Sequence, residues 1–437
     1  MTIKHGWVEK FHGDQLVVTL ADLGILQRML RELSVSWDGI DHSALLGMAR
    51  ITGLAGVEAA VPALEADPSV GPELRRYRTG REHAHREFCP VSDLALLIKG
   101  IQLRFADRYP GWQLRIGKNY RPSMVKGYPH TGGGGEGEPT PTRNGFTRAA
   151  DVPHGNSQPG RGVRVGLLDT KMYRHERLAD HFVGREEDLL DPGKHEFTEF
   201  DGHCAFVASC ILQQAADAQI YLRHVLNGQG DGSAWHAAVA MAEMAQAAPD
   251  VVNLSFGEFM TDDDAVPLVL ETGVRRFGPE TVVVAAAGNN GQADDLPPGR
   301  VPKGVTSASA SYPAALANVI GVGAIDRAGE LAPFTPRPAP WISLYARGVD
   351  LDGAYVSGKV AIATTERDEH GRPRTRNEVF EGTANWAGCS FAAGIVTGVI
   401  AAGVIPGRRS ARDVLYGLLH PDPGAAPHAI LPNVPPR

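Results

Sequence analysis

The sequence contains no long apolar run and no excess of basic charge. None of its 437 residues belongs to a stretch of eighteen or more apolar residues, which argues against a membrane-spanning helix. The formal net charge is −7, so the chain lacks the basic footprint of a nucleic-acid-binding protein. The first fifteen residues also lack the apolar core of a secretory signal. The sequence therefore predicts a cytoplasmic protein that binds neither nucleic acid nor membrane.

Cysteine is scarce as well. The four cysteines show no Cys-x-x-Cys spacing, which argues against a disulfide framework and against a zinc site; they are Cys89, Cys204, Cys210 and Cys389. We expect free thiols in a reducing compartment. Cys204 and Cys389 lie next to two candidate catalytic residues, which raises the hypothesis that oxidation of these thiols slows the enzyme.

What the sequence does contain is the set of groups needed for acyl transfer by a serine. Asp169 lies in VRVGLLDT, His203 in DGHCAFVAS, Asn289 in VVVAAAGNNG and Ser390 in GTANWAGCSFAAG. A serine hydroxyl is a weak nucleophile until a neighbouring base takes its proton, and imidazole titrates near neutrality. A carboxylate orients that base, and an amide NH2 can donate to the oxyanion that forms. The four residues are therefore candidates for one site.

The surroundings of these residues predict where they lie in a fold. Strand candidates alternate with helical segments, the strands at 163–168, 219–225, 250–255, 281–287 and 319–322 and the helices at 234–247 and 265–277. This alternation predicts an α/β fold with a doubly wound parallel sheet and helices on both faces. Asp169 and Asn289 then follow strands, while His203 and Ser390 each begin a helix, and active sites form beyond the carboxyl ends of such strands.

These motifs and their order resemble those of the subtilases, the subtilisin-like serine proteases, over roughly residues 161–404. The resemblance implies that Asp169, His203 and Ser390 form the triad and that Asn289 donates to the oxyanion. It further implies that one segment pairs with the substrate backbone and lines the primary specificity pocket, namely Ser255, Phe256 and Gly257, followed by Glu258. The chain departs from the family pattern at Lys171, Cys204, Ala205, Cys389 and Gly394. Calcium often stabilises subtilases, but no loop here shows a ligand pattern. We therefore predict no metal-binding residues and no cofactor, and structural calcium is the alternative that stays open.

The leading functional prediction is a serine endopeptidase that uses an acyl-enzyme to process a specific peptide or protein. One alternative is a peptide ligase or macrocyclase that passes the acyl group to an amine, and another is a catalytically silent protein that only binds peptides. Glu258 and the acidic residues 262–264 would favour Arg or Lys at the cleaved position if they are buried. Equally, they fit a solvated loop and the acidic start of a helix.

The chain divides by composition into four parts. Residues 1–118 form a smaller N-terminal region, mainly helical or α+β, with a strand expected at 15–20 and helices at 23–33, 42–52, 56–66 and 90–109. This region is either a prodomain or a module that binds a partner or substrate. Residues 119–160 read as a Gly/Pro-rich linker, 161–420 as the catalytic domain and 421–437 as a Pro-rich tail. Residues 327–382 are expected to form an exposed insertion.

Overall fold

The structure is a computed structural model that describes residues 11–84, 91–124, 138–142, 159–259, 266–295, 305–367, 373–421 and 430–432. Cys89, the acidic residues 262–264 and most of the predicted linker and tail lie outside these residues. No helix within the described ranges is long and apolar enough to cross a membrane.

The N-terminal region is an α+β domain built on a four-stranded antiparallel sheet. Its sheet order is β2-β3-β1-β4. In chain order the elements are β1 (Phe11–Thr19), α1 (Leu23–Glu32), β2 (Gly39–Ser43), β3 (Met48–Thr52), α2 (Val57–Ala66), α3 (Gly71–Ala84), α4 (Asp93–Arg108) and β4 (Ile116–Tyr120). The helix expected at 42–52 is wrong, because these residues belong to the β2–β3 hairpin, which turns at Gly47 with a φ of 69°. Helix α3 was not predicted.

Side chains alternate across the N-terminal sheet and give it two buried faces. Leu16 and Val18 of β1 pack with the domain's own helices, in one cluster with Leu26 and Ile101. Val17, between them, joins the hydrophobic core of the catalytic domain instead. Because successive side chains of a strand point to opposite faces, the second face of this sheet is an apolar surface covered by the catalytic domain.

The end of the N-terminal domain does not coincide with the predicted boundary at residue 118. Strand β4 continues to Tyr120, and two short strands follow within the predicted linker, β5 (Ser123–Met124) and β6 (Thr140–Pro141). Both pair with strands of the catalytic domain. The described part of the linker is therefore attached to the catalytic domain by backbone hydrogen bonds.

The catalytic domain is the predicted α/β fold. Its sheet has the order β19-β16-β15-β13-β11-β7-β10-β8, in which β19 alone is antiparallel to its neighbour. The strands are β7 (Arg164–Asp169), β8 (Phe182–Val183), β10 (Gln219–His224), β11 (Val251–Leu254), β13 (Val282–Ala286), β15 (Ile320–Ile325), β16 (Ile342–Arg347) and β19 (Ile430–Pro432). Helix α5 (His203–Leu212) packs on α8 (Cys389–Gly403), and α6 (Ala234–Ala245) packs on α7 (Leu268–Val274); α9 (Ala411–Leu419) follows α8. The apolar strands are short and buried, as expected for a parallel sheet covered by helices.

Two smaller sheets complete the catalytic domain. One contains β14 (Ser311–Tyr312), β12 (Phe256–Phe259) and β5 in that order, and the other contains β6, β18 (Pro373–Trp386), β17 (Leu351–Arg367) and β9 (Glu196–Thr198). The prediction of an exposed insertion at 327–382 is wrong, because this range holds β16 of the central sheet and the β17–β18 hairpin. Tyr355 and Phe380 of that hairpin are buried against each other, with ring centroids 4.6 Å apart.

Candidate active site

Asp169 and His203 form a buried acid–base pair. Asp169 is the last residue of β7 and His203 is the first of α5, and their side chains are 0% and 2% exposed. His203 Nδ1 lies 2.8 Å from Asp169 Oδ1 and 3.1 Å from Oδ2. A proton on Nδ1 serves this contact, so Nε2 is left with a lone pair and can act as a base.

Thr170 fixes the position of this pair. Its backbone N–H donates to Asp169 Oδ1 at 2.7 Å, and its hydroxyl donates to the Phe200 carbonyl at 3.0 Å. The same hydroxyl accepts the Cys204 N–H at 3.3 Å, which satisfies a backbone donor in the first turn of α5. One side chain thus ties the end of β7 to the start of the helix that carries His203.

Ser390 is the second residue of α8, whose first turn also approaches His203. The ring of Phe391, the next residue, lies 5.4 Å from the His203 ring, centroid to centroid. Ser390 Oγ donates to the Ser255 carbonyl at 3.4 Å, its one hydrogen bond among the residues that the structure describes. Transfer of the hydroxyl proton to His203 therefore requires the O–H bond to turn away from the Ser255 carbonyl.

A buried polar network holds the start of α8 above the central sheet. Ser255 Oγ donates to the Ser390 carbonyl at 3.1 Å and accepts from Asn253 Nδ2 at 2.7 Å. Thr397, two turns further along α8, donates to Asn253 Oδ1 at 3.1 Å. Because every hydrogen bond in this network is buried, α8 is fixed against β11 in one register.

Asn289 follows β13 and faces the same helix start. Its Oδ1 accepts the Cys389 N–H at 2.9 Å. The Nδ2 end lies beside Gly388, 3.5 Å from where a Cβ on that glycine would be. A positive φ of 118° at Gly288 makes the turn that brings Asn289 to this position. The Asn289 NH2 and the Ser390 N–H thus lie at the same helix start, as donors for an oxyanion do.

Aromatic rings surround the imidazole, and the sequence reasoning did not identify them as part of the site. Trp386 lies edge-on to His203 at 5.6 Å with an interplanar angle of 88°, and Phe200 lies 6.5 Å away. Trp386 is the last residue of the β17–β18 hairpin and is 3% exposed. Its place four residues before Ser390 in GTANWAGCS is the signal that could have identified it. Exclusion of water by these rings strengthens the electrostatic interactions of the pair.

The two cysteines next to the site are buried and poorly reactive. Burial, reinforced by the Asp169 carboxylate, raises the pKa of Cys204 well above its usual value. Burial raises the pKa of Cys389 to about 12. Thiolates are the reactive form of cysteine, so both side chains are inert thiols at neutral pH. This chemistry does not favour the hypothesis that their oxidation slows the enzyme.

The segment expected to pair with substrate already carries a paired strand. Phe256 and Gly257 of β12 are opposite Met124 and Ser123 of β5 in an antiparallel register. On its other side Ser123 is bridged to Asp231, and the neighbouring Gly232 N–H donates to the Pro122 carbonyl at 2.9 Å. An extended piece of the chain thus lies between two backbone segments beside Ser390, as a bound peptide would.

Glu258 lies on the other face of β12 from Gly257. It is 5% exposed and stands opposite Tyr312 of β14. Strand alternation places its side chain on the face that Phe256 also uses. Within the described ranges no group of His, Cys, Asp and Glu is arranged to hold a metal ion.

Comparison with known proteins gives one family. A model of the subtilase family matches residues 160–404. The chain is 29% identical over 235 residues to a thermophilic serine proteinase of Bacillus sp. (strain AK1), over 50% of this chain and 51% of that protein. It is 29% identical over 218 residues to subtilisin Savinase of Lederbergia lenta, over 47% of this chain and 71% of that protein.

Similarity to a solved structure extends over nearly the whole chain. The crystal structure of fervidolysin from Fervidobacterium pennivorans, a keratinolytic enzyme related to subtilisin, matches with a TM-score of 0.53 and 15% identity. The match covers 92% of this chain and 55% of fervidolysin. The chain therefore spans about half the length of that protein and of the thermophilic proteinase.

Proposed function

This chain belongs to the subtilase family, and we propose that it is a serine endopeptidase that processes a specific peptide or protein. The observation that carries this proposal is the buried contact of 2.8 Å between His203 and Asp169, which faces the helix start bearing Ser390. The cytoplasmic location and the absence of nucleic-acid and membrane partners stay predictions from the sequence.

The proposed mechanism begins when the Ser390 hydroxyl turns from the Ser255 carbonyl toward His203. Ser390 Oγ attacks the carbonyl carbon of the substrate, and its proton passes to His203 Nε2. Asp169 stabilises the imidazolium that results. The negative charge on the substrate oxygen receives hydrogen bonds from Asn289 Nδ2 and the Ser390 N–H. The C–N bond then breaks as His203 gives its proton to the leaving amine. Water attacks the acyl-enzyme in the second half, and its proton passes to His203 and then to Ser390 Oγ as the ester bond breaks.

We further propose that the N-terminal domain inhibits the enzyme as a prodomain does, rather than serving as a permanently attached binding module. Strand β5, which directly follows this domain in the chain, occupies the place of a substrate along Phe256 and Gly257. The domain also docks through polar contacts: Asn119 Oδ1 accepts the Trp235 N–H at 3.0 Å, and Arg276 donates to the Leu46 carbonyl. A strand added to an exposed edge is a common way to bind a peptide backbone.

A fluorophosphonate probe and the intact mass test these proposals in one experiment. We expect the probe to label the wild type and the control variant Ser410→Ala, whose hydroxyl caps the distant helix α9, but not Ser390→Ala. A wild-type chain cut C-terminal to Met124, with Ser390→Ala uncut, would support the prodomain role. Labelling of an uncut chain would favour the attached module. Absence of labelling would leave a silent peptide-binding site.

The mass of a cleaved model peptide separates hydrolysis from transfer to an amine. Hydrolysis adds one water to the two fragments, whereas ligation or cyclisation adds none. We expect the mass of hydrolysis. Products without added water would replace the endopeptidase proposal by the ligase alternative.

A further inference from the structure

Two buried oxygen atoms near the site have no hydrogen-bond partner among the described residues. They are Asn290 Oδ1 and Ser311 Oγ, and both residues are 0% exposed. Leaving such a group buried and unpaired destabilises the folded chain. A ligand that supplies the missing hydrogen-bond partners offsets this destabilisation. The two atoms are therefore candidates for a binding site.

Hydrogen bonds at its other end fix the direction of the Asn290 side chain. Its Nδ2 donates to the Thr306 carbonyl at 2.7 Å and to the Ser309 carbonyl at 3.1 Å. Both N–H bonds of the amide are therefore used, and the remaining atom, Oδ1, is an acceptor. This Oδ1 lies beside Gly288, because a Cβ added to that glycine would be 2.6 Å from the oxygen.

Ser311 approaches the same region from β14. A Cβ on Gly257 would collide with Ser311 Oγ, so the absence of a side chain at Gly257 makes room for this hydroxyl. Phe259 lies near both oxygens. It is opposite Ser311 in the β12–β14 register, and its ring is 3.2 Å from the position that a Cβ on Gly288 would take. Both oxygens thus lie on the Gly257 face of β12, between β12 and the turn after β13.

The register of β5 shows which substrate residue points toward this face. Ser123 is opposite Gly257 and Met124 is opposite Phe256, so the next residue of a peptide in this place is opposite Ser255. The Ser255 carbonyl is the group that accepts the Ser390 hydroxyl, so the carbonyl attacked belongs to this third residue. Because side chains alternate along a strand, the side chain of this third residue points to the face of β12 on which Gly257 and Ser311 lie.

We propose that Asn290 and Ser311 form the floor of a pocket that selects an uncharged amide side chain, Asn or Gln, at the residue whose carbonyl is attacked. This inference rests on the proposed peptidase function. The amide NH2 donates to Asn290 Oδ1, and the amide oxygen accepts from the Ser311 hydroxyl. An aliphatic side chain leaves both oxygens unpaired, and a carboxylate meets the Asn290 acceptor. The buried carboxylate of β12, Glu258, is on the other face and does not make this pocket acidic.

Competition among peptides tests the pocket with the full chain. Peptides that differ only at the selected residue, with Asn, Gln, Leu, Asp or Lys, are mixed and their cleavage is followed by mass spectrometry. In such a mixture, β5 competes with every peptide for the same cleft, the space between β12 and Asp231. It therefore slows the cleavage of all peptides equally and leaves the ratios of their rates unchanged. We expect the Asn or Gln peptide to be cleaved about tenfold faster than the Leu peptide, the value of one to two well-made hydrogen bonds.

The variant Ser311→Ala removes the hydroxyl while leaving a similar volume. We expect it to lower the amide-to-Leu ratio about fivefold. Ser410→Ala is the matched control, because it removes a hydroxyl that caps the distant helix α9 and should leave that ratio unchanged. Labelling by the fluorophosphonate probe shows that each variant retains an assembled site.

The outcomes separate this inference from the proposed function. Labelled enzyme that prefers Leu, Asp or Lys, that cleaves none of the peptides, or whose ratio is unchanged by Ser311→Ala overturns the pocket and leaves the activated serine intact. Absence of both labelling and cleavage in the wild type overturns the proposed function, and the pocket with it.

Discussion

The two domains bury their sheets in different ways. The central sheet of the catalytic domain is covered by its own helices, whereas the N-terminal sheet has helices of its own on one face and α6 and α7 of the catalytic domain on the other. Val17, Met48 and Tyr120 belong to the catalytic domain's core although the N-terminal domain supplies them. The catalytic fold is thus complete in itself, and the N-terminal domain is completed by docking.

The difference extends to hydrogen bonding at the interface. Helix α6 begins after Ser233, whose hydroxyl does not cap it. Asn119 of the N-terminal domain supplies the missing acceptor to the Trp235 N–H and donates to Ser233 Oγ at 3.3 Å. A helix of one domain is therefore capped by a side chain of the other. If this comparison is correct, changes inside the catalytic site should alter chemistry alone, and changes at the interface should alter access to the cleft.

The largest expected effect is on chemistry. Asn289→Ala removes the NH2 group that we propose as a donor to the oxyanion, and we expect kcat to fall about 10²- to 10³-fold with KM nearly unchanged. Removal of an oxyanion donor in subtilisin has an effect of that size. Steady-state kinetics on a model peptide give both parameters.

A structural effect of this change must be separated from the loss of the donor. Asn289 also accepts the Cys389 N–H, so the melting temperature of the variant is compared with that of the wild type. A similar melting temperature with a lower kcat supports the oxyanion role. A rise in KM with kcat unchanged would assign Asn289 to substrate binding instead.

The next largest effect is on docking. Asn119→Ala leaves the first turn of α6 without its cap, which costs about 1 to 2 kcal/mol. In the inactive Ser390→Ala chain, a labelled peptide can bind only when β5 has left the cleft, so its apparent affinity depends on the fraction of open chains. We expect Asn119→Ala to tighten peptide binding about tenfold, as measured by fluorescence anisotropy.

Asp67→Ala is the matched control for this measurement. Asp67 binds Arg104 at 2.8 Å inside the N-terminal domain, and hydrogen bonds from Arg104 and Ser69 lower its pKa to about 2. Its replacement weakens that domain without touching the interface. Equal tightening in both variants would mean that unfolding of the N-terminal domain, rather than loss of the cap, opens the cleft.

The catalytic fold was predictable because its signals are local. The mostly apolar run 163–168 coincides with β7 to within one residue, and the residue at the carboxyl end of such a strand is then placed at one edge of the sheet. Asp169 ends β7, and Asn289 lies three residues past β13, as these signals suggest. The helix starts at His203 and Ser390 follow equally from local pattern.

What sequence reasoning missed depends on pairing between distant residues. Strand β5 has only two residues, and it is a strand because Phe256 and Asp231 lie on either side of it. The hairpin expected as a helix at 42–52 contains good helix formers, including Leu45 and Leu46, but the positive φ of Gly47 and pairing with β1 prevail over that propensity. Likewise, the aromatic contact of Trp386 with His203 exists only after the β17–β18 hairpin has formed.

The smallest effect we expect is a dependence of docking on pH. Arg121, at the entry to β5, donates from Nη2 to His12 Nδ1 at 3.3 Å, a contact that requires neutral His12. Burial, followed by the charge of Arg121, lowers the pKa of His12; Arg50 and His236 act in the same direction, and Asp14 opposes them. His236 belongs to the catalytic domain, so release of the N-terminal domain removes its contribution, and we expect the His12 pKa of the released domain to lie nearer its usual 6.5. The released domain then takes up a proton more readily than the docked one. This contribution to docking is complete above pH 6.5 and is lost as the pH falls through the lowered pKa.

Hydrogen exchange of the Gly232 amide measures this dependence without catalysis. That amide donates to the Pro122 carbonyl, so its protection reports the docked state of β5. In the Ser390→Ala chain we expect the opening equilibrium to rise severalfold between pH 7.5 and pH 5.5, after correction for the intrinsic exchange rate. His12→Gln keeps an acceptor for Arg121 but cannot titrate, and it should flatten the profile, whereas His42→Gln, on an exposed position of β2, should not. If the profile of His12→Gln follows that of the parent chain, acid opens the cleft through a different group, and the His12–Arg121 contact is only structural.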